Sequence, residues 1–193
     1  MFDLSQIQKL SEKFQQNQPF PHLLLHDLLD KEEVSSLLKA LQKEEFQLKD
    51  SDLFTFLQTD DLQSSSDKAV RKFCQFLSKT VAPLLEKITS VELTGKLDLS
   101  GTLYKNTHHL LPHDDKLEGR KVAFIYYLSS LEKKDGGALA LYSAKDGKPL
   151  KIAKRIQPQF NTFIIFQVLP ESFHEVEEVI VNKERLAVSG WFL

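Results

Sequence analysis

Three side chains that suit a metal ion occur in the second half of this 193-residue sequence. His113 and Asp115 are two residues apart in the run Leu-Leu-Pro-His-Asp-Asp, and His174 lies downstream in Glu-Ser-Phe-His-Glu-Val. On a β-strand, His113 and Asp115 would point to the same face, while Asp114 would point away. Two histidines and one carboxylate on one side of a divalent iron leave positions open for a cosubstrate and oxygen. The spacing therefore predicts a metal site made of His113, Asp115 and His174.

A basic residue follows these candidate ligands at the start of the last apolar segment. Arg185 begins the run Arg-Leu-Ala-Val-Ser-Gly-Trp, whose composition predicts a strand. If the guanidinium points inward, it can bind a dicarboxylate through two parallel hydrogen bonds. The same alternation would point Ser189 and Trp191 inward. Tyr104 and Tyr127, on two other predicted strands, either add hydroxyl groups to this pocket or pack in the core with a polar tip.

The composition is that of an ordinary globular protein, with 41% hydrophobic and 27% charged residues and a formal net charge of -2. This charge gives no global argument for a nucleic acid or an anionic membrane as a partner, although a local basic patch is compatible with it. The lone cysteine, Cys74, cannot form an intramolecular disulfide, and the N-terminus lacks a secretory signal pattern. No apolar stretch is long enough to span a bilayer. We therefore expect a cytoplasmic or nuclear protein without a membrane partner.

The first half of the chain is predicted to be rich in helices. Apolar residues at helical spacing predict three helices, which begin near Leu4, Asp30 and Asp67. Asp30 and Asp67 are suited to cap the second and third helices. Between these helices we expect a short strand at His22–His26 and a strand or hairpin over Phe46–Leu57.

The second half is predicted to consist of strands separated by turn-like breaks. The eight expected strands are Leu97–Lys105, Leu110–Asp115, Lys121–Ser129, Ala138–Ser143, Leu150–Ile156, Asn161–Val168, Phe173–Val179 and Arg185–Leu193. Several are apolar on both faces, which is typical of strands that are buried twice. The pattern favours an α+β, mainly β fold: a double-stranded β-helix, or jelly roll, braced by N-terminal helices. We predict a single domain over residues 1–193, with a helix-rich support at 1–95 and a jelly-roll core at 96–193.

The quoted residues also resemble a known family. The segments from His113 through Gly119 and Arg120 to Leu128, from Gly136 to Tyr142 and from Arg185 to Trp191 are similar to iron- and 2-oxoglutarate-dependent prolyl hydroxylases. They are most similar to the ribosomal oxygenase group within that family. Members of the group 3-hydroxylate a proline of the small-subunit protein at the ribosomal decoding centre, which affects translation accuracy and termination.

The resemblance implies a role for each site residue. The two histidines and Asp115 would bind iron(II), while Arg185 and Tyr127 would hold the distal carboxylate of 2-oxoglutarate. Ser189 would be a further cosubstrate contact, because Ala187 occupies the position where the resembled proteins can have a serine. Oxygen would be the second cosubstrate and ascorbate a supporting reductant. The partner would be the small-subunit ribosomal protein, with nucleic acid contacted only indirectly through the ribosome.

Other functions are compatible with the same residues. The oxygenase chemistry could act on another protein, a nucleic acid base or a small molecule. The jelly roll could be a metal-binding module without turnover, but such a module does not need both the three ligands and Arg185. A zinc hydrolase could use the same ligands, yet Arg185 would then have a role only with an anionic substrate. Asp114, Glu175 and Asn161 are candidates to orient the imidazoles.

Overall fold

The computed structural model describes residues 4–193, in which helices cover one side of a strongly bent antiparallel sheet. The elements of the first half are α1 (Leu4–Gln16), β1 (His22–His26), α2 (Lys31–Leu41), β2 (Gln47–Ser51), β3 (Phe54–Asp61), α3 (Lys68–Phe76) and α4 (Ala82–Thr89). Those of the second half are β4 (Leu97–Tyr104), β5 (His109–His113), β6 (Val122–Tyr127), β7 (Leu139–Lys145), β8 (Lys148–Ile156), β9 (Thr162–Gln167), β10 (His174–Val176) and β11 (Arg185–Phe192).

The helices begin where the sequence predicts. Asp30 accepts a hydrogen bond from the Glu33 N–H at 2.8 Å, and Asp67 accepts one from the Ala69 N–H at 2.7 Å. Each carboxylate satisfies a backbone donor that has no partner within its helix. A five-residue π-helical turn at Leu77–Val81 separates α3 from α4.

The sheet is ordered β1-β9-β6-β11-β4-β3-β5-β10-β7-β8, and β2 pairs with β3. Strands β9, β6, β11 and β4 form one wall of the jelly roll, and β5, β10, β7 and β8 form the other. Strand β3 pairs with both β4 and β5 and so joins the two walls. All eight predicted strands of the second half are present as β4 to β11, and the predicted fold class is confirmed.

Strand β6 shows how the two walls and the helices share the core. Phe124 and Tyr126 pack in the cluster that lies under the helices, whereas Ile125 and Tyr127 pack in the cluster inside the jelly roll. Because alternate residues of a strand face opposite sides, a strand buried on both sides must be apolar throughout. The helices therefore cover one wall and leave the interior of the jelly roll free for a site.

Residues of both halves of the chain contribute to the core cluster under the helices. The division into a support at 1–95 and a core at 96–193 stays a prediction. Among the helices of the described residues, none is long and apolar enough to cross a membrane.

The close approach of β11 to β4 yields a stability prediction. A Cβ atom on Gly190 would lie 2.0 Å from the Asp98 carbonyl oxygen and 2.7 Å from the Leu99 Cα, and neither backbone atom can move without separating the strands. We expect Gly190→Ala to lower the free energy of unfolding by about 1–3 kcal/mol, measured by urea denaturation. Gly101→Ala is the matched control, because its nearest neighbours are the tips of the Leu41 and Thr59 side chains. Equal losses in the two variants would contradict this explanation.

Candidate metal and cosubstrate site

The three predicted ligands converge at one point inside the mouth of the jelly roll. The Nε2 atom of His113 lies 3.5 Å from one carboxylate oxygen of Asp115, and Nε2 of His174 lies 3.3 Å from the other. One ligand atom from each residue falls within 4.8 Å of the others, and this is the one such group of three found among residues 4–193. Pairing of β5 with β10 places His113 directly opposite His174.

The prediction that His113 and Asp115 converge because they lie on one strand is wrong, although the two side chains do come together. Strand β5 ends at His113, and Asp115 lies beyond it with a left-handed φ of 59°. Cα atoms two apart on a straight strand are about 6.6–6.8 Å apart, so parallel side chains there keep a similar separation. The turn after β5 is what brings the carboxylate within 3.5 Å of the imidazole.

A β-bulge also contributes to the position of His113. The register of β5 against β10 shifts between the pair of His113 with His174 and the pair of Leu110 with Val176. Because a bulge inserts one residue, it changes which side chains point inward. Leu110 and His113 both line the cavity, whereas Leu111 points outward and is 41% exposed.

Backbone carbonyl groups orient both imidazoles. The Nδ1 atom of His113 lies 2.9 Å from the Leu111 carbonyl oxygen, and Nδ1 of His174 lies 2.9 Å from that of Ser172. With the proton on Nδ1 donated to these oxygens, each Nε2 presents its lone pair to the shared point. The Asp114 side chain instead accepts from the Lys116 N–H.

The other two side chains that we considered as orienting groups are also engaged elsewhere. Asn161 accepts from the Tyr126 hydroxyl at 2.5 Å and donates to the Leu29 carbonyl. Glu175 bonds to Tyr142, and burial raises its pKa. Sequence reasoning missed the carbonyl groups because any residue type can supply one.

The ligands stabilise one another's charge. Burial by itself would raise the pKa of Asp115, but the nearby imidazoles of His174 and His113 outweigh burial and hold that pKa well below its usual range. Burial lowers the pKa of His113, but its contact with Asp115 is stronger and raises the pKa above the ordinary value. The carboxylate is therefore anionic at neutral pH, and a cation is favoured at the point between the two rings.

Arg185 lies deep in the same cavity as a buried charge. Its side chain is 1% exposed, and among the described residues no carboxylate forms an ion pair with it. Its Nε donates to the Gly137 carbonyl at 2.8 Å, and Nη2 donates to the Tyr127 hydroxyl at 3.0 Å. Two of five N–H groups are thus used, and the three that remain are enough for a bidentate contact with an added carboxylate.

The three predicted hydroxyl groups take different positions. Tyr104 lines the cavity of about 180 Å³ with its ring 5.0 Å below the Arg185 guanidinium, and burial raises the pKa of its hydroxyl. Ser189 also lines the cavity and lies 3.2 Å from the Thr102 hydroxyl. Tyr127 is fully buried, its hydroxyl accepts from Arg185, and its own O–H hydrogen remains available to donate. Their cosubstrate roles stay predictions.

A cation–aromatic pair forms part of the rim, and sequence reasoning gave it no role. The Arg120 guanidinium lies 3.3 Å from the centre of the Trp191 ring, and its Nη1 lies 4.0 Å from the Asp115 carboxylate. The Trp191 Nε1–H is buried without a hydrogen-bond acceptor. The alternation along β11 predicted that the Trp191 side chain points inward. Its contact with Arg120 was not predictable, because it depends on how the loop after β5 folds back over the cavity.

The donors fit a six-coordinate metal and an anionic cosubstrate. Ligand–metal bonds of about 2.0–2.2 Å at right angles place neighbouring donors about 3 Å apart, and the observed 3.3 and 3.5 Å are close to that value. The uncompensated guanidinium of Arg185 supplies the partner for a carboxylate at the far end of the cavity. A larger groove of about 520 Å³ between α2 and α3 is lined by neither histidine nor arginine, so it offers none of this chemistry.

The fold and the site together define a jelly roll with a two-histidine, one-carboxylate metal centre. Residues 99–193 match the family described as the 2OG-Fe(II) oxygenase superfamily. Residues 99–193 therefore form a domain of the 2OG-Fe(II) oxygenase superfamily, whose name gives 2-oxoglutarate and iron(II) as the cosubstrate and the metal.

Relatives in animals match almost the whole chain. Prolyl 3-hydroxylase OGFOD1 of Xenopus laevis is 40% identical over 178 residues, which are 90% of this chain and 35% of the relative. Prolyl 3-hydroxylase OGFOD1 of Mus musculus is 35% identical, with 90% and 33% covered, and prolyl 3-hydroxylase sudestada1 of Drosophila melanogaster is 36% identical, with 90% and 34% covered. The chain thus spans about a third of the length of the curated relatives that it matches.

Solved structures share the fold at low sequence identity. A Pseudomonas putida prolyl-4-hydroxylase superposes with a TM-score of 0.75 at 18% identity, covering 95% of this chain and 97% of that one. A Trichoplax adhaerens prolyl hydroxylase, solved with a peptide fragment of the hypoxia inducible factor oxygen degradation domain, superposes with a TM-score of 0.73 at 19% identity, covering 100% and 94%.

The raised pKa of His113 predicts pH-dependent metal binding. Protonated His113 must lose its proton to bind a metal ion, so affinity should rise as the pH rises through a pKa that lies above 6.5. We expect manganese(II), a redox-stable probe, to bind at least about tenfold more tightly at pH 8 than at about pH 6, measured by calorimetry. His109→Ala, which changes a histidine outside the triad, should preserve this dependence. Equal affinity at the two pH values would contradict the prediction.

The turn before β7 predicts a selective effect on 2-oxoglutarate. Gly137 has a φ of +67°, and an added Cβ would lie 2.7 Å from Leu131 and 3.3 Å from the Arg185 Cδ. Gly137→Ala should therefore move the guanidinium and raise the KM for 2-oxoglutarate about tenfold or more, with kcat nearly unchanged at saturation. Gly147→Ala has the same backbone strain at φ +70° but no atom within 4 Å, so its KM should stay near that of the wild type. Similar KM values for both variants would show that backbone strain alone is responsible.

Proposed function

We propose that this chain is an iron(II)- and 2-oxoglutarate-dependent dioxygenase that hydroxylates a prolyl residue of a protein. The proposed reaction is 3-hydroxylation of the small-subunit ribosomal protein at the decoding centre, with an effect on translation accuracy and termination. The curated relatives are named prolyl 3-hydroxylases, which supports the residue and the position of hydroxylation. In this proposal the protein acts in the cytoplasm or the nucleus, where ribosomal proteins are made and assembled.

One observation carries the proposal: a buried guanidinium without a carboxylate partner shares a cavity with the His-Asp-His cluster. A buried charge that lacks a partner is costly, so the folded protein is more stable with an anion beside Arg185. A binding module would need the metal cluster alone. A zinc hydrolase would leave Arg185 without a role unless its substrate is anionic. The oxygenase reaction uses both features, because its cosubstrate is a dicarboxylate.

In this proposal one set of side chains would bind the metal and another would bind the cosubstrate. His113, Asp115 and His174 would hold iron(II) from one side and leave the other side open. Arg185 and Tyr127 would fix the distal carboxylate of 2-oxoglutarate, which orients its other end towards the metal. Bound iron(II) and 2-oxoglutarate supply the oxidising chemistry: oxygen is consumed, 2-oxoglutarate becomes succinate and carbon dioxide, and one oxygen atom enters a C–H bond.

Apolar groups around the mouth support a peptide rather than a charged metabolite as the primary substrate. Phe54 and Phe56 are in contact, with ring centres 5.4 Å apart and ring planes tilted by 55°, and both line the cavity. Leu53, Leu111 and Leu117 are 61%, 41% and 62% exposed on the neighbouring hairpin, strand and loop. Clustered exposed apolar side chains mark binding sites for apolar or protein ligands. A prolyl ring within a peptide fits such a surface and excludes water from the metal.

Mass spectrometry of a decoding-centre ribosomal peptide tests the substrate and the chemistry together. After incubation with enzyme, iron(II), 2-oxoglutarate, oxygen and ascorbate, we expect one added oxygen on proline. Asp115→Asn should reduce turnover by at least about a hundredfold, because it removes the anionic ligand. Asp114→Asn is the matched control, because an amide oxygen can still accept from the Lys116 N–H.

Three results would separate the alternatives. Oxidation of 2-oxoglutarate without a modified peptide would retain the oxygenase and reject this substrate. Absence of both activities, with tight metal binding intact, would favour the non-catalytic module. Equal loss in the Asp114 and Asp115 variants would contradict the assignment of Asp115 as the anionic ligand.

A further inference from the structure

The β7–β8 hairpin concentrates positive charge in a protein whose overall charge is slightly negative. Strand β8 has the sequence Lys-Pro-Leu-Lys-Ile-Ala-Lys-Arg-Ile, with four cationic and no acidic residues. Lys145 ends β7, and Asp146 and Gly147 form the turn between the strands. The composition allowed a local basic patch, and the hairpin is where the structure places one.

Two β-bulges align the lysines on one face of the hairpin. Lysines three apart on a regular strand, such as Lys148, Lys151 and Lys154, would alternate between faces. The register shifts between Leu141 and Tyr142 and again between Ser143 and Ala144, and each shift reverses the alternation of β8.

The resulting pairs are Leu141 with Lys154, Ser143 with Lys151, and Lys145 with Lys148. Because residues two apart on β7 share a face, their partners on β8 share it as well. We call this row the lysine stripe; its members are Lys145, Lys148, Lys151 and Lys154. Like charges directly opposite each other, as in the pair of Lys145 with Lys148, are destabilising. The pair of Lys145 with Lys148 therefore does not contribute to the stability of the folded protein.

The stripe lysines are not neutralised by ion pairs, although Asp146 lies in the turn next to Lys145. On the outer face of the hairpin, Arg155 pairs with Glu177 at 2.7 Å. Within residues 4–193 the four stripe lysines form no ion pair. Lys154 reaches only the neutral nitrogen of His22, at 2.9 Å, and its pKa is lowered by burial and by the nearby charge of Lys13. The positive charge of this face is therefore available to an external anion.

The stripe begins beside the candidate site and extends away from the buried end of the cavity. Leu141, which pairs with Lys154, pairs on its other side with His174. Arg185 lies towards the opposite end of β7, where Gly137 accepts its hydrogen bond. From Lys154 to Lys148 the stripe thus runs from the level of the metal ligands past the mouth of the jelly roll.

We propose that the lysine stripe binds the phosphate backbone of single-stranded RNA beside the mouth of the site. Ammonium groups without accompanying aromatic or arginine side chains suit sequence-independent contacts with phosphates. Their repeat of two residues along β7, about 6.6–6.8 Å, is comparable to the spacing of successive phosphates in an extended strand. The choice of RNA over DNA rests on the ribosomal substrate of the proposed function.

An acidic peptide is the less suitable occupant of this edge. A peptide that binds a sheet edge does so by adding a strand, which requires a regular row of backbone donors and acceptors. Pro149 lacks a donor, and the two bulges interrupt the row. The side chains therefore remain the binding groups, and they suit a chain with closely and regularly spaced negative charge.

Fluorescence anisotropy with labelled oligouridine RNA and the full chain tests this proposal without turnover. With three lysines free of other contacts, log K should fall with log salt at a slope of about -2. Lys148→Gln combined with Lys151→Gln should weaken binding about tenfold or more at low salt and reduce the slope to about -0.7. Lys31→Gln combined with Lys79→Gln removes the same charge from exposed positions on the helical half and should leave both quantities nearly unchanged.

Several outcomes would overturn the proposal. If both double variants lost RNA affinity equally, the binding would depend on the overall charge of the protein and not on the stripe. Oligothymidine DNA should bind about as tightly as RNA, because both carry the same phosphates, and a much weaker affinity for it would contradict recognition through the phosphate backbone. Tighter binding of a polyglutamate peptide or of phosphatidylserine vesicles than of RNA would replace RNA with those partners. Hydroxylation of an isolated peptide should be the same in the wild type and the stripe variant. Failure of that reaction in both proteins would refute the proposed function, whereas the RNA affinity would still decide the role of the stripe.

Discussion

A buried positive charge without a carboxylate partner is the constraint on which the rest of the site depends. The folded state must satisfy the Arg185 guanidinium in a cavity where water is scarce. The Gly137 carbonyl and the Tyr127 hydroxyl meet part of that requirement, and the rings of Tyr104 and Tyr127 lie about 5 Å from its carbon. The donors that remain define where an anion binds, and through it the orientation of any molecule that also reaches the metal cluster.

The metal cluster is assembled from three different local structures. His113 follows a bulge at the end of β5, Asp115 adopts a left-handed conformation in the next turn, and His174 begins the three-residue strand β10. Each is an irregular or short element that has little stability by itself. Their mutual geometry comes from the pairing of β5 with β10 and from the carbonyl groups that fix both imidazoles. The surrounding walls therefore supply the rigidity that the local segments lack.

The groups to which we assign functions are arranged in order from the buried end of the cavity to its exterior. The anion-binding group is deepest, the metal ligands lie above it, and Arg120 with Trp191 forms part of the rim. The exposed leucines and the lysine stripe lie outside the mouth. The burial of polar groups decreases along this direction, which matches the demands of the chemistry: charge recognition is strongest where water is excluded, whereas a macromolecular partner needs an accessible surface.

The sequence by itself determined the fold class and the eight strands, and it singled out the three candidate metal ligands and Arg185, because apolar patterns and rare polar residues within them are local signals. Asp30 and Asp67 predicted where two helices begin, because a capping residue is also a local signal. The tertiary structure alone decided how His113 and Asp115 converge, which groups orient the imidazoles, and that lysines three apart share a face. Bulges, left-handed turns and carbonyl contacts depend on the partner strand rather than on residue type. A residue pattern can therefore name the ligands but cannot give their geometry.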